Sequence, residues 1–133
     1  RLYTREAYEL IRSRLNPGGV FATQATSPTL TPNVHATIYK TAKAAFRHVV
    51  SYYVYMRSFE GLWGFVAGSD NVNLEAMKDL DVDSRLASMG VRGNRFYDTE
   101  SHLNMFHPPK FIRDVLETQG SVSTLNNPVY VPA

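Results

Sequence analysis

Apolar residues recur every three or four positions in two stretches of the chain, and this spacing predicts two amphipathic helices. The first runs from Thr4, a suitable N-cap, to the Asn-Pro-Gly-Gly break at residues 16–19. The second begins at Thr31-Pro32, a capping residue followed by proline at the first helical position, and ends near Arg47. We expect His35 to lie on an exposed face of this second helix.

Three further apolar stretches lack helical spacing and predict strands. Residues 20–24 begin with a short continuous apolar run, which is typical of a strand covered by helices on both faces. Residues 49–57 are rich in tyrosine and valine, and residues 63–68 follow after a short turn, which favours a hairpin. Helix, strand, helix, strand, strand is the order of the second half of an α/β sheet that has an antiparallel strand near its edge.

After residue 69 the sequence becomes more polar and predicts shorter elements. Residues 70–93 suit at most one or two short helices, and residues 99–106 suit another. A last helix is expected from Pro108 to Leu116, and the tail from Gly120 is expected to be extended.

The composition indicates a globular protein and narrows its chemistry. With 133 residues, 44% of them hydrophobic, the chain suits one domain or part of one. No apolar run approaches the roughly 18–20 residues that cross a membrane, so we expect a soluble chain. We also expect a cytoplasmic location, because a chain without cysteine fits a reducing compartment. The absence of cysteine excludes disulfides and thiolate chemistry. A formal charge of +2 with scattered basic residues gives no reason to expect nucleic-acid binding.

No metal or hydrolytic motif is complete in this sequence. The four histidines lack metal-ligand spacing, and we expect His102 to order the C-terminal segment. The acidic residues between 79 and 83 lack the glycine and closing glutamate of a calcium loop, which favours a solvated loop. Ser27 lacks the Gly-x-Ser-x-Gly context of a nucleophile. We therefore expect no metal, no prosthetic group and no catalytic residue in this chain.

A polar cluster follows the predicted strand at residues 20–24. In open α/β sheets the carboxyl ends of strands form the edge at which ligands bind. Gln24, at this strand end, binds a ligand or satisfies backbone groups of the following loop, and its position alone leaves both roles open.

Four sequence motifs occur in order along the chain. They are Leu2-Tyr3-Thr4 before a helix with Tyr8, Gln24 at a strand end, an aromatic hairpin from Phe59 to Phe65, and Tyr97 with His102, Phe106, Pro108 and Phe111. Together they resemble the polyamine aminopropyltransferases, the spermidine synthases, and the likeness extends from Leu2 to Leu116.

The resemblance implies an α/β fold: the C-terminal half of a Rossmann-like class I methyltransferase-type sheet, with an antiparallel hairpin at the edge and a helical C-terminal segment. Residues 1–69 would form the C-terminal half of the catalytic domain, residues 70–119 a helical and loop extension of it, and residues 120–133 an extended tail. The implied reaction moves an aminopropyl group from the co-substrate decarboxylated S-adenosylmethionine to a polyamine acceptor such as putrescine.

The resemblance also implies roles for five residues. Gln24, Phe59, Glu60 and Trp63 would bind the amine, and Leu2 would line the nucleoside pocket. An aromatic wall beside an acid suits a cationic chain, since each desolvated cation–π contact contributes about 0.5–2 kcal/mol. The structural alternatives are sheet core for Trp63 and a solvated turn for Glu60. We expect Gln24 and the hairpin loop to converge on one cleft.

Two departures from the family pattern limit these expectations. The Gly-rich cofactor turn, the ribose-binding acid and the Asp-rich catalytic loop of the family precede the Leu-Tyr segment and are absent here. Since the sequence also begins with Arg-Leu-Tyr-Thr rather than methionine, we expect the later part of a longer protein, inactive alone. Phe59 stands where many members have tyrosine, which leaves the acceptor amine open.

We expect small-molecule polyamine and nucleoside substrates, no nucleic-acid partner, and a homo-oligomer. Membrane helices before this chain are one alternative, because the segments QATSP and SFEGLWGF are most similar to family members that have them. Two other functions fit the same residues: a different alkyl transfer on this fold, or a non-catalytic module whose sheet edge pairs with another chain. The upstream sequence would distinguish them.

Overall fold

The computed structural model describes residues 2–130, which contain helices, a sheet and two 3₁₀ turns. The helices are α1 (Arg5–Arg14), α2 (Pro32–Ala45), α3 (Val82–Ser88), α4 (Thr99–Phe106) and α5 (Lys110–Thr118). The strands are β1 (Phe21–Gln24), β2 (His48–Met56) and β3 (Gly61–Ser69), and the 3₁₀ turns are Arg57–Phe59 and Glu75–Met77. None of the helices within residues 2–130 has the length and apolar character needed to cross a membrane.

The starts of the two long helices are set by local side chains. Thr4 caps α1 as predicted, because its Oγ1 accepts a hydrogen bond from the Ala7 N–H at 3.4 Å. Thr31 precedes Pro32 as predicted but makes no side-chain cap. Its hydroxyl instead donates to the Ser27 carbonyl at 3.2 Å and lies 2.9 Å from Thr26 Oγ1. Thr31 therefore joins the loop after β1 to the start of α2.

The three strands form one sheet in the order β1-β3-β2. β3 pairs antiparallel with both neighbours, so that Phe65 lies opposite Gln24 on one side and Tyr52 on the other. β1 and β2 therefore run in the same direction, separated by an antiparallel strand. This arrangement confirms the predicted α/β fold, with the antiparallel strand next to the edge strand β2.

One face of the sheet packs against α1 and α2, and this layer holds the main core. Its buried residues are Tyr8, Ala25, Val34, Ile38, Ala42, Ala45, Phe46, Val49 and Val66. The predicted burial of β1 on both faces is wrong for the residues described, because Ala22 and Gln24 are exposed while Phe21 and Thr23 are half-buried. The side chains of a strand alternate between its two faces, and α1 and α2 cover only one of these faces.

The opposite face of the sheet carries the segment between residues 70 and 106. The Phe106 ring of α4 stacks on Tyr52 of β2 with ring centroids 5.0 Å apart. His102 is buried, and its Nε2 donates to the Met77 carbonyl at 2.8 Å while its Nδ1 accepts from the Tyr97 hydroxyl at 2.6 Å. His102 thus orders this segment, as the sequence predicted.

Residues 120–130 of the predicted extended tail form neither helix nor strand and include a turn between Thr124 and Asn127, while residues 131–133 lie outside the described residues. We call residues 120–130 the C-terminal strap. The Ser123 carbonyl accepts from the Arg5 N–H at the start of α1 at 2.9 Å, and the Ser123 N–H donates to Thr41 Oγ1 of α2 at 2.9 Å. The strap therefore contacts both helices that cover the sheet.

Candidate functional site

A cleft of about 190 Å³ opens where β1 ends. It is bordered by the end of β1, the first turns of α2, one residue of β3 and the C-terminal strap, through Gln24, Thr26, Thr37, Ile38, Trp63 and Ser123. The polar cluster that follows β1 thus lies beside a cavity. This is the position at which an α/β sheet binds ligands.

Gln24 and Trp63 contact each other in this cleft. The Trp63 indole N–H donates to Gln24 Oε1 at 3.1 Å. The strand register brings them together, because Gln24 lies opposite Phe65 and the residue two positions from a cross-strand partner is on the same face. The Phe59 ring lies against Trp63 with centroids 4.2 Å apart and planes at 33°. Gln24 and Trp63 of β3 therefore share one cleft, as expected, but the hairpin loop itself contributes no lining residue, and Phe59 is connected to the cleft only by its contact with Trp63.

The other three sequence-predicted residues, Phe59, Glu60 and Leu2, lie outside the cleft lining. Glu60 adopts a left-handed backbone conformation, φ 54°, at the turn into β3, and it is exposed. Leu2 is 80% exposed, whereas its neighbour Tyr3 lines the cleft. The roles expected for Glu60 and Leu2 stay predictions.

A pair of backbone hydrogen bonds fixes the loop after β1 against β3. The Ala25 N–H donates to the Gly64 carbonyl at 2.8 Å, and the Gly64 N–H donates to the Thr26 carbonyl at 2.7 Å. A Cβ at position 64 would lie 2.5 Å from His35 Cε1 and 2.7 Å from His35 Nδ1. Only glycine allows this approach, and the contact sets where Gln24 lies relative to Trp63.

His35 is buried beneath this loop, with 0% of its surface exposed, so the predicted exposed position is wrong. Its Nδ1 lies 2.8 Å from the Ala25 carbonyl, and its Nε2 lies 3.0 Å from the Tyr53 hydroxyl. A carbonyl only accepts, so Nδ1 carries the proton and Nε2 accepts from Tyr53. A histidine with both ring nitrogens paired can be buried at low cost, which periodicity alone does not show.

The surroundings of His35 favour its neutral form. Burial lowers the pKa of His35, although the hydrogen bond to the Ala25 carbonyl opposes this effect. Burial raises the pKa of Tyr53 to about 12, so its hydroxyl keeps the proton that it donates to His35. The pair is thus a neutral support for the loop.

The cleft can bind and orient a ligand, but it lacks an obvious proton acceptor. It offers the Gln24 amide, an indole ring, hydroxyl groups and the apolar side chains of Val34 and Ile38. No carboxylate lines it among the residues that the structure describes. Within residues 2–130 there is also no group of three His, Asp or Glu side chains placed to hold a metal ion.

A larger cavity of about 560 Å³ lies elsewhere, between α2, α5 and β2, and shares no lining residue with the cleft. Several of its charged groups already have partners. Lys78 pairs with Glu75 at 2.8 Å, Lys40 donates to the carbonyls of Glu117 and Gly120, and Lys43 lies over the Tyr39 ring. We place the functional site in the smaller cleft, because its polar groups lie at the end of a strand.

Sequence reasoning missed several residues of the site. Ser123 and Val129 line the cleft from a tail about 100 positions away from Gln24 in the sequence, and no local pattern indicates this contact. Tyr3 could have been found, because it belongs to the Leu-Tyr-Thr motif. The buried position of His35 had no signal in the helical spacing.

Comparison with known proteins places the chain in a family. The sequence profile of the spermine/spermidine synthase domain matches residues 1–79. Polyamine aminopropyltransferase 2 of Hyperthermus butylicus is 47% identical over 133 residues, which are 99% of this chain and 43% of that protein. The polyamine aminopropyltransferase of Sulfolobus acidocaldarius is 40% identical over 132 residues, or 99% of this chain and 44% of that protein. The chain thus spans less than half the length of these relatives.

Solved structures show the same fold. The crystal structure of spermidine synthase from Thermotoga maritima matches with a TM-score of 0.74 and 22% identity, over 87% of this chain and 39% of that chain. A spermidine synthase in complex with the transition-state analogue AdoDATO matches with the same TM-score of 0.74, at 22% identity and with the same coverage of both chains. Since the family profile covers more than half of the sequence, the chain belongs to the spermine/spermidine synthase domain family.

Proposed function

We propose that the protein carrying this chain is a polyamine aminopropyltransferase. It transfers an aminopropyl group from decarboxylated S-adenosylmethionine to a polyamine acceptor such as putrescine, and this chain supplies the cleft for the acceptor. The observation that carries the proposal is the contact between Gln24 and Trp63 at the ligand-binding edge of the sheet. The names of the Hyperthermus and Sulfolobus relatives, both polyamine aminopropyltransferases, support it.

In the proposed reaction the amine attacks a carbon next to a sulfonium. The nitrogen–carbon bond forms as the carbon–sulfur bond breaks, the sulfur keeps the electron pair, and the nucleoside leaves as neutral 5′-methylthioadenosine. The attacking nitrogen must lose a proton, so a positioned base and good alignment supply most of the rate. The cleft contributes alignment, and we expect the base to lie on a loop outside this chain.

The cleft residues suit a slender cationic chain. An amide oxygen has two lone pairs, and Gln24 Oε1 uses one for Trp63, so the other can accept from the amine. The rings of Trp63 and Phe59 together form an aromatic wall for methylene groups and for a distal ammonium. We further propose that Glu60 pairs with that ammonium and that Leu2, next to the cleft residue Tyr3, contacts the nucleoside.

We also propose that residues 1–69 and 70–119 belong to one domain, with residues 120–133 as its tail. The stacking of Phe106 on Tyr52 and the hydrogen bonds of His102 support this for the first two parts. The contacts of Ser123 with α1 and α2 support it for the tail. Self-association and a cytoplasmic location stay predictions.

An assay of the full-length protein tests the proposed function. The protein is incubated with decarboxylated S-adenosylmethionine and with putrescine, cadaverine or spermidine in turn, and the products are identified by mass. We expect 5′-methylthioadenosine together with an amine that is one aminopropyl group longer. Transfer to none of the amines, or methylation by S-adenosylmethionine instead, would refute the proposal.

A further inference from the structure

We propose that the C-terminal strap is a specificity element of the acceptor cleft. Ser123 and Val129 form the part of the wall against which the carbon chain of the amine packs, and they limit the size of the amine that binds. This inference rests on the proposed function, and it assigns part of the acceptor selectivity to a segment outside the sheet.

One face of α2 holds the strap in place. Asn33, Thr37 and Thr41 are four residues apart and therefore lie on the same side of the helix. Each accepts a hydrogen bond from a strap N–H: Gly120 to Asn33 Oδ1 at 3.1 Å, Ser121 to Thr37 Oγ1 at 3.2 Å, and Ser123 to Thr41 Oγ1 at 2.9 Å. Three successive turns of α2 thus fix three backbone groups of the strap.

The first residue of the strap can only be glycine. Gly120 has a φ of +73°, and a Cβ there would overlap the backbone nitrogen of Thr37 and the carbonyl carbon of Ala36. The Lys40 ammonium also donates to the Gly120 carbonyl at 3.3 Å. The strap therefore enters at a fixed position directly against the α2 backbone.

A turn then returns the strap to the cleft. The Asn127 N–H donates to Thr124 Oγ1 at 3.0 Å, and the Thr124 N–H donates to the Asn127 carbonyl at 3.2 Å. The Val129 N–H donates to Ser123 Oγ at 3.1 Å, and Ser123 is only 3% exposed. These bonds join the two ends of the turn, so that Ser123 and Val129 line the cleft together.

Because the cleft is small, the wall formed by the strap limits the size of the amine that can bind. Its volume of about 190 Å³ is smaller than the roughly 300–1,000 Å³ typical of pockets for drug-sized ligands. Val34, Ile38 and Val129 are its aliphatic side chains, and Gln24 supplies the acceptor for an amine. A change of side-chain volume at position 129 therefore alters directly which aliphatic amine fits.

Substitutions at Val129 test the proposal in the full-length protein, with Val122 as the matched control. Val122 is a valine of the same strap that is 37% exposed and does not line the cleft. KM and kcat are measured for putrescine and for the longer spermidine, and calorimetry measures the affinities for putrescine and for 5′-methylthioadenosine.

We expect Val129→Phe to raise KM for both amines by about tenfold or more, as an added group in a hydrophobic pocket does. Its kcat at saturation and its 5′-methylthioadenosine affinity stay at the wild-type values. Val129→Ala shifts kcat/KM in favour of spermidine, and the Val122→Phe and Val122→Ala variants match wild type.

The outcomes separate this inference from the proposed function. If Val129→Phe behaves as Val122→Phe does, the strap proposal is overturned while the transfer activity stands. A second outcome is that the wild type transfers to no amine but still binds putrescine, and that Val129→Phe abolishes this binding. In that case the proposed function is wrong and the strap proposal holds. A wild-type protein that binds no amine overturns both.

Discussion

The contact between Gln24 and Trp63 depends on neighbouring residues that hold the loop after β1 against β3. Gly64 bonds to both Ala25 and Thr26 of the loop after β1, and the His35 imidazole occupies the space where a Cβ would be. His35 in turn is held by the Tyr53 hydroxyl of β2. The geometry of the cleft therefore depends on Gly64, His35 and Tyr53, none of which lines the cleft.

Replacing Gly64 by alanine should destabilise the protein. The added Cβ would lie 2.5 Å from His35 Cε1 and 3.1 Å from the Thr26 carbonyl oxygen. Overpacking of this kind lowers the free energy of unfolding by about 1–3 kcal/mol. Gly61→Ala is the matched control, because a Cβ there has no neighbour within 4 Å. Denaturant unfolding of both variants measures the difference, and equal losses would contradict the described packing.

The buried neutral state of His35 predicts a pH dependence of stability. Since burial lowers the pKa of His35, the unfolded chain binds the proton more tightly than the folded chain does. The stabilisation is complete above the unfolded pKa of about 6.5. It is lost as the pH falls from there toward the lowered folded pKa.

The variant His35→Asn keeps a donor for the Ala25 carbonyl but cannot take up a proton. We expect its free energy of unfolding to fall less steeply than that of wild type as the pH drops from about 7 to about 5. Denaturant unfolding at a series of pH values gives both slopes. Identical slopes would show that His35 is not the titrating group.

At the scale of elements, α2 has two partners on two faces. Val34, Ile38 and Ala42 pack into the core against the sheet, and Asn33, Thr37 and Thr41 hold the strap. The same helix therefore connects the sheet to the C-terminal wall of the cleft.

Thr41→Val should loosen the strap without changing the shape of the helix. Thr41 is fully buried, and valine would leave the Ser123 N–H without its acceptor. A buried donor left unpaired costs about 1–3 kcal/mol of the free energy of unfolding. Thr118→Val is the control, since its hydroxyl bonds only to the Asp114 carbonyl at the exposed end of α5. A loss for Thr118→Val as large as for Thr41→Val would count against the role of the strap.

The elements themselves could be predicted from the sequence because their signals are local. Thr4, Pro32 and the break at residues 16–19 bound the first helices, and a tyrosine- and valine-rich run marks β2. Burial could not be predicted in the same way. Whether His35 is buried depends on Tyr53 and Ala25, which are distant in the sequence and reach it only in the folded chain.

At the scale of the whole molecule, the chain supplies one part of a larger site. Family likeness pointed to Gln24 and Trp63, and the strand register brings them together. The position of the strap could not be predicted, because no local pattern shows that residues 120–123 lie against Asn33, Thr37 and Thr41. The chain covers 43% of its Hyperthermus relative, and in our proposal the groups that bind the nucleoside and remove the proton lie largely outside it.

The kinetics of Gln24→Ala in the full-length protein show whether this cleft binds the acceptor amine. A hydrogen bond to a charged group contributes about 1.5–3 kcal/mol, so we expect KM for putrescine to rise by about tenfold or more. The affinity for 5′-methylthioadenosine should stay unchanged, and Gln119→Ala, outside the cleft, should match wild type. An equal loss of amine and nucleoside binding, or a wild-type KM for putrescine in Gln24→Ala, would contradict the assignment of this cleft to the acceptor amine.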